Sequence, residues 1–187
     1  MNTLVIDVET SGLIPKENAI TSITLKVFGK DIRNTIFIKP QKELFYDPRA
    51  MQITGISMAY LEQEGVDEIT AIKKTITFIN DNFERRPYVL GHNVEFDVNF
   101  INEMFKRRTN NLLFTDKIHC HRKDTMYNTL FLKDSGLSNI ESLSLGSCYS
   151  HFCGLTPKDA HSSYGDVLMT EEIYKKQMKL IGGNRDA

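Results

Sequence analysis

The sequence predicts a single α/β domain built on a mixed β-sheet. The apolar, β-branched segment at residues 3–8 is typical of a buried strand, and residues 19–28 and 32–39 flank a glycine turn as a hairpin. From residue 67 onward, helical stripes alternate with short strands. Three antiparallel strands followed by parallel ones give a mixed central sheet flanked by helices. We therefore expect residues 1–187 to form one domain, which is long enough to bury a full core.

The remaining elements follow from apolar periodicity. A helix at 67–82 places residues 69, 72, 76 and 79 on one face, and Asp67 supplies an N-cap acceptor. The other predicted elements are a helix at 47–52, a strand at 88–90, a helix at 94–108, a strand at 117–120, and helices at 124–132, 140–151 and 163–180.

Composition indicates an ordinary globular protein, with 41% hydrophobic and 25% charged residues. The formal net charge of −1 supplies no general basic field for nucleic acid, although a metal site can supply local positive charge. No apolar run approaches the roughly 18 residues of a membrane span. The N-terminus also lacks the basic start of a signal peptide. We therefore expect a cytoplasmic protein without a membrane partner.

Cysteine and histidine residues cluster in two segments: His119, Cys120 and His121, then Cys148, His151 and Cys153. An odd, sparse set of cysteines argues against a disulfide framework and for a reducing compartment. These side chains are ligand types for zinc, but their spacing matches no zinc finger or ribbon. Neighbours in an extended segment also point to opposite faces. Buried or half-buried thiols are therefore the favoured interpretation.

Asp7 and Glu9 lie at the end of the first strand. Residues i and i+2 of a strand project from the same face, so the two carboxylates point together. They repel each other unless a cation lies between them, and the end of a central strand commonly faces a functional crevice. The alternative is a solvent-exposed acidic strand end, which the apolar residues on both faces of the strand argue against. This motif alone leaves both interpretations open.

Asp97 lies in the first turn of the helix at 94–108. It is in line with Ile101 and Phe105 and therefore borders the apolar stripe. An acid at a helix N-terminus also interacts favourably with the helix dipole, so simple capping is the alternative.

Asp166 is aligned with Met169 and Ile173 on one helical face. An aspartate beside buried residues is either paired or bound to something. His161 lies five residues earlier, and we expect it on the loop that leads into this helix, facing the same crevice.

With these residues in this order, the chain resembles the DnaQ-like exonucleases of the DEDDh type, which have the RNase H-like fold. The resemblance covers residues 3 to about 178, and three ordered motifs are far more specific than any one alone. The matching positions are Asp7, Glu9 and Thr10 for the first motif, Gly91-His92-Asn93 with Phe96-Asp97 for the second, and His161 with Asp166 for the third.

The resemblance implies an enzyme that uses two Mg²⁺ or Mn²⁺ ions to hydrolyse phosphodiester bonds from a 3′ end, releasing nucleoside 5′-monophosphates. It assigns one metal to Asp7, Glu9 and Asp166, and the other to Asp7 with Asp97 acting mostly through water. Two ions about 4 Å apart can hold the attacking water and the leaving 3′-oxygen. His161 would take the proton from that water, since imidazole is largely neutral at neutral pH.

The substrate-binding residues that the resemblance implies are Thr10, Leu13, His92, Asn93 and Phe96. Backbone near Thr10 and the Leu13 side chain would cradle the terminal nucleotide. Phe96 would stack near the last bases, and a plain core role is equally open for it. Basic runs at 106–108 and 119–123 could follow the phosphates, although such runs are more often solvated faces.

The expected substrate is a single-stranded DNA 3′ end. The motif Glu9-Thr10-Ser11-Gly12-Leu13 is nearer to proofreading and RNase T-like enzymes than to the Glu-Met-Thr-Gly-Leu of oligoribonuclease-like relatives. A 3′–5′ exoribonuclease is the alternative. We see no polymerase domain, so proofreading would require a separate polymerase partner. Rival interpretations are a non-catalytic nucleic-acid or polymerase adaptor of the same fold, and an α/β protein whose acids are only caps and exposed charges.

Overall fold

The computed structural model describes residues 2–156 and 163–182, which form a five-stranded sheet with helices on both faces. The strands are β1 (Thr3–Thr10), β2 (Ile20–Val27), β3 (Arg33–Phe37), β4 (Tyr88–Gly91) and β5 (Arg122–Asp124). Their order across the sheet is β3-β2-β1-β4-β5. The pairs among β1, β2 and β3 are antiparallel, and the pairs of β4 with β1 and β5 are parallel. The predicted mixed sheet is confirmed.

Seven α-helices and one short 3₁₀ segment (Phe114–Asp116) are found among the described residues. The helices are α1 (Pro48–Thr54), α2 (Met58–Glu64), α3 (Glu68–Asn82), α4 (Val94–Arg108), α5 (Thr125–Asp134), α6 (Leu145–Cys153) and α7 (Ser163–Gly182). The predicted N-cap at Asp67 is confirmed, because its carboxylate accepts from Thr70 N at 2.9 Å. Within the described ranges, none of these helices is long and apolar enough to span a membrane.

Two sequence-based predictions of local structure were wrong, and one helix was missed. Helix α6 begins at Leu145 rather than at residue 140, and α2 was not foreseen. The strand predicted at 117–120 is instead β5, further along the chain. Its sequence, Arg-Lys-Asp, has no strand-like character, and only parallel pairing with β4 makes it a strand. Residues 119–121 lie in an irregular, bent segment, so their side chains need not alternate between faces.

β1 is buried on both faces, and each face packs on a different layer. Leu4, Ile6 and Val8 belong to the large core cluster that includes residues of α3 and α4. Val5 packs in a second cluster with Val167 of α7. Side chains alternate along a strand, so Asp7 and Glu9 share the face of Val5 and are directed toward the α7 layer. The register of β1 therefore determines that these two carboxylates face the α7 layer rather than the layer of α3 and α4.

A buried ion pair fastens α7 to the β2–β3 hairpin. Lys26 of β2 pairs with Glu171 of α7, and both side chains are almost fully buried. The second carboxylate oxygen of Glu171 accepts from Gly29 N at 3.1 Å and pairs with Lys175 at 2.7 Å. Burial alone raises the pKa of Glu171, but the hydrogen bonds from Lys175 and Lys26 outweigh it and lower the pKa overall. The pair therefore fixes the helix that carries Asp166 against the sheet.

The basic run at the end of α4 is part of the fold's own ion-pair network. Arg107 and Arg108 bind the two carboxylate oxygens of buried Glu68 at 2.8 and 2.6 Å. Arg108 also pairs with Glu43, and Lys106 pairs with Glu103 at 2.6 Å. The guanidinium groups of the two arginines thus hold α3 and α4 together, and contact of this run with nucleic-acid phosphates stays a prediction.

Candidate active site

Asp7 and Glu9 lie where β1 loses its regular pairing with β2. Asp7 is opposite Thr24 and Glu9 is opposite Ser22, but Thr10 pairs with Ile20, so the register shifts between Glu9 and Thr10. Such bulges bend a strand and re-aim its side chains. Both carboxylates are half-buried on one face at this strand end, as strand alternation predicts.

The first turn of α7 is anchored to β2 by hydroxyl groups. The buried Ser163 hydroxyl lies 3.1 Å from that of Ser22 and 2.8 Å from that of Thr24. Asp166 follows one turn later on the same helix. As a result, ligand oxygens of Asp7, Glu9 and Asp166 all lie within 4.8 Å of one another. Residues far apart in the chain thus form one group, which we call the carboxylate cage.

Asp97 approaches the cage from the opposite layer. It lies in the first turn of α4, is buried, and its Oδ1 accepts a hydrogen bond from Val8 N at 2.9 Å. Val8 lies between Asp7 and Glu9 in the chain. The α4 carboxylate is therefore tied directly to the backbone that presents the other two acids, which is more than helix capping alone requires.

The electrostatics of this group are strained in the absence of a counter-ion. Burial raises the pKa of Asp7 well above its ordinary value, and the charges of Asp97, Asp166 and Glu9 raise it further. Burial, and then the charge of Asp166, raises the pKa of Glu9 to about 8. Burial also raises the pKa of Asp97, although the hydrogen bond from Val8 N opposes it. These four carboxylates would be more favourably ionised with cations between them.

This strain predicts how the stability of the metal-free protein depends on pH. The pKa of Glu9 is about 8 in the folded state against 4.5 as its ordinary value, so the folded state holds more protons between those two values. Stability therefore falls as pH rises through this window. We expect the melting temperature in EDTA to drop from pH 6 to pH 8.5. Glu9→Gln should flatten this slope, whereas the exposed Glu17→Gln should leave it unchanged. Equal slopes in all three proteins would contradict the prediction.

The turn after β1 presents Leu13 to solvent. The Thr10 hydroxyl donates to Gly12 O at 2.7 Å and so closes the turn. A Cβ at Gly12 would lie 2.5 Å from the Asn18 side chain and would disturb its hydrogen bonds with Ile14 N and Phe45 O. Leu13 is 81% exposed beyond this turn. An apolar side chain held out beside the acids suits contact with a nucleoside.

His92 is held by hydrogen bonds at both ring nitrogens. Nδ1 lies 2.8 Å from the Thr125 hydroxyl, and Nε2 lies 2.8 Å from Leu143 O. The carbonyl can only accept, so Nε2 carries the proton, and in the neutral ring Nδ1 accepts from the Thr125 hydroxyl, which also lies 3.2 Å from Gly91 O. Burial, ahead of the hydrogen bond and a nearby charge that oppose it, lowers the pKa of His92 and favours this neutral form. Its nitrogens are therefore engaged within the protein, and any substrate contact would use the ring face.

The two other sequence-predicted contact residues lie at the start of α4, Asn93 just before the helix and Phe96 in its first turn. Asn93 is exposed and adopts a left-handed backbone conformation with φ of 64°. Phe96 is half-buried, packs against the main core and has its ring centroid 4.8 Å from that of Phe100. One side of Phe96 thus belongs to the core, and only its remaining surface is free to meet a base. His161 lies outside the described residues.

Asp124 is an organising residue to which the sequence analysis assigned no role. Its buried carboxylate accepts from the backbone N–H groups of Asn93 and Val94 at 3.1 and 2.8 Å, and from Met126 at 2.8 Å. It therefore caps α4 and α5 together and stabilises the left-handed turn at Asn93. The position of Asp124 at the start of α5 was readable from the sequence, but its contact with the start of α4 was not.

The fold and the site together define an RNase H-like α/β domain with acidic residues gathered at the end of its central strand. The chain belongs to the RNase T exonuclease family, whose profile matches residues 4–174. The resemblance drawn from the three motifs is thereby confirmed at the level of the family.

Individual relatives agree with this assignment. The chain is 36% identical over 103 residues to the 3′–5′ DNA exonuclease Cap18 of Escherichia coli, an alignment that covers 54% of each protein. Its fold is similar to that of the E. coli exonuclease I complex with single-stranded DNA and zinc, with a TM-score of 0.75, 20% identity, and coverage of 96% of this chain and 42% of the other. For exonuclease I of Methylocaldum szegediense the TM-score is 0.76, with 20% identity and coverage of 96% and 42%. The chain thus spans about half of its curated relative and less than half of exonuclease I.

Proposed function

We propose that this protein is a metal-dependent 3′–5′ exonuclease that shortens single-stranded DNA from its 3′ end and releases nucleoside 5′-monophosphates. The observation that carries the proposal is the carboxylate cage, in which Asp7, Glu9 and Asp166 place oxygen atoms within 4.8 Å of one another. Membership of the exonuclease family gives this cage a reaction class, and the named DNA exonuclease among its relatives supports the choice of DNA.

The cage has the chemistry that a hard divalent cation requires. Within the described part of the chain, Glu9 Oε1 is buried without a hydrogen-bond partner, which is costly unless a ligand completes it. All the donors are carboxylate oxygens, which Mg²⁺ and Mn²⁺ prefer. We assign one ion to Asp7, Glu9 and Asp166, and a second to Asp7 with Asp97. When bound, the two ions would supply positive charge for the attacking and leaving oxygens of an in-line displacement.

The chain's own residues position these groups. Asp97 is fixed by Val8 N, so its carboxylate keeps a constant relation to Asp7 and Glu9. Ser163 fixes the first turn of α7, so the helix presents Asp166 to the same point. We assign the general base to His161, as in the DEDDh type, where it would take a proton from the attacking water. A site whose acids are held by backbone and hydroxyl contacts needs little reorganisation during the reaction.

Substrate contact is assigned to the surface next to the cage. Leu13 offers an exposed apolar side chain for the terminal nucleoside, and the free side of Phe96 offers an aromatic surface for a neighbouring base. Stacking and apolar contact tolerate any base, which suits an enzyme without sequence preference. We propose that Asn93 and the backbone near Thr10 complete this surface, and that His92 acts by holding the turn into α4.

The free thiols of Cys120, Cys148 and Cys153 support a reducing, cytoplasmic location. We propose single-stranded DNA as the partner, and a polymerase as a further partner in any proofreading role. Mixing the protein with a candidate polymerase and measuring the molecular mass by light scattering tests that association directly.

The proposal is tested with 5′-labelled single-stranded DNA, duplex DNA with a frayed 3′ end, and RNA, each incubated with Mg²⁺ or Mn²⁺. We expect a ladder that shortens from the 3′ end on single-stranded DNA and disappears with EDTA. His161→Ala should slow it by about 10²–10⁴-fold, the usual contribution of a general base. Shortening of RNA alone would replace DNA by RNA as the substrate, and no shortening of any substrate would overturn the enzymatic proposal.

Metal binding separates the enzyme from a non-catalytic adaptor. Titration of Mn²⁺ followed by calorimetry should show heat and a rise in melting temperature, because a ligand that binds only the folded state stabilises it. Glu9→Gln should lose most of this effect, while Glu17→Gln, which alters an exposed acid, should retain it. Full Mn²⁺ binding without any nuclease activity would favour the adaptor.

A further inference from the structure

A second group of metal-ligand side chains lies at the opposite end of the sheet from the carboxylate cage. It consists of His119, Cys120 and His121, which we call the HCH cluster, in the bent segment just before β5. His119 N donates to Pro87 O at 2.8 Å, which fixes the backbone beside the start of β4. The cage, by contrast, lies at the carboxyl end of β1, so β1 and β4, which run parallel, separate the two groups.

The three ligand atoms of the HCH cluster converge. Cys120 Sγ lies 3.8 Å from His119 Nδ1 and 3.3 Å from His121 Nδ1, and one ligand atom from each of the three residues lies within 4.8 Å of the other two. A tetrahedral zinc ion with ordinary bond lengths separates sulfur from nitrogen by about 3.6 Å. The observed distances lie on either side of that value. Small side-chain rotations would therefore suffice to complete the geometry.

The ring of His119 is already oriented for such a role. It stacks on Tyr88 with ring centroids 4.1 Å apart, and its Nδ1 accepts a hydrogen bond from His121 N at 3.1 Å. An accepting Nδ1 is unprotonated, with the proton on Nε2 when the ring is neutral. This is the tautomer that coordinates a metal through Nδ1. Metal binding would break this hydrogen bond, and the backbone N–H of exposed His121 would then bind water at little cost.

We propose that the HCH cluster is a second metal site, selective for Zn²⁺ and similar borderline cations. One thiolate and two imidazoles prefer such ions, whereas the all-oxygen cage prefers Mg²⁺ or Mn²⁺. The two sites thus sort cations by ligand softness. This proposal does not depend on the exonuclease proposal.

The site has an open fourth position. Three protein ligands leave one coordination place, as in zinc sites that exchange ligands, whereas structural sites are closed by four. His119 also lines a cavity of about 760 Å³ together with Lys30, Arg85 and Arg86. Water or a small anion would occupy the fourth position from this cavity. Binding of the ion is therefore reversible, and removal of the ion should leave the fold intact.

Cobalt(II) is the probe, because it takes the same ligands as zinc and shows a near-ultraviolet sulfur-to-metal charge-transfer band only when a thiolate binds it. We expect this band on titration of the wild-type protein and its loss on addition of Zn²⁺. Cys120→Ser should abolish it, and His121→Ala should weaken Co²⁺ binding at least about tenfold. Cys153→Ser is the matched thiol control, and Asp7→Asn, which disables the cage, should leave the band unchanged.

Two results would overturn the proposal: no charge-transfer band in the wild-type protein, or a band of equal strength in Cys120→Ser. Because Cys120 and His121 are exposed, both variants should fold, and circular dichroism checks this. Nuclease activity with Mg²⁺ should be the same in Cys120→Ser and wild type. Loss of the nuclease in every protein would therefore count against the exonuclease proposal without affecting this one.

Discussion

Replacing Asp7 with Asn is expected to lower nuclease activity at least about a thousandfold while stabilising the metal-free protein. Asp7 is the acid assigned to both metal ions, and the loss of even one fixed electrostatic contact in an active site costs about 10²–10³ in rate. The same substitution removes a half-buried charge whose pKa is raised by burial and then by Asp97, Asp166 and Glu9. We expect a gain of about 1–2 kcal/mol in the free energy of unfolding in EDTA, the range typical of relieved strain at functional sites.

Addition of Mg²⁺ should reverse that order of stability. The wild-type protein gains stability by binding the ion, whereas Asp7→Asn gains little. Asp134→Asn, on the exposed end of α5, is the control and should change neither activity nor stability. Activity is read from the 3′-end ladder and stability from urea unfolding. If Asp7→Asn keeps near-normal activity, or is less stable than the wild type in EDTA, the cage is not a metal site of the kind proposed.

Replacing Glu171 with Gln is expected to cost about 3–5 kcal/mol of folding free energy, because breaking a buried ion pair leaves the partner's charge without compensation. Lys26 is the stranded charge, and it is as deeply buried as Glu171. The lost carboxylate would also weaken the contacts to Lys175 and to Gly29 N at the hairpin turn. Because α7 carries Asp166, partial loosening of this helix should lower activity before the protein unfolds.

Glu172→Gln provides the matched control for this prediction. It lies next in the same helix and also pairs with Lys175, but it is exposed, so the change should cost at most about 0.5 kcal/mol. The pKa of Glu171 is lowered in the folded state, so its contribution is present above the ordinary carboxyl range and is lost as pH falls through the folded value. The difference in unfolding free energy between wild type and Glu171→Gln should therefore shrink in acid. Equal costs for the two substitutions would show that the ion pair carries no special energy.

Much of the fold was readable because local patterns and tertiary packing agree. The predicted helix at 94–108 matches α4, since its apolar stripe, its acidic first turn and its basic last turn all favour the same segment. β1 was readable from a β-branched run that is buried on both faces. β5 was not, because its three polar residues become a strand only through pairing with β4.

The carboxylate cage and the HCH cluster show the same difference between a feature that the sequence predicts correctly and one that it does not. Strand alternation places Asp7 and Glu9 on one face, and this holds in the structure. The same rule applied to His119, Cys120 and His121 predicted divergence, and that was wrong because the segment is bent rather than extended. Local periodicity is informative only where the backbone is regular.

The sequence by itself determined most of the elements but not α2 or the position of β5, and it also determined the placement of Asp7 beside Glu9 and the family to which the chain belongs. These depend on residue spacing and on motifs that are local in the chain. The family motifs implied that Asp166 joins that pair, and only the tertiary structure showed how α7 brings it there, through the contacts of Ser163 and of Glu171 with β2. It also decided that Arg107 and Arg108 serve Glu68. Contacts between residues distant in the chain depend on how layers pack, and a one-dimensional pattern carries no direct record of that packing.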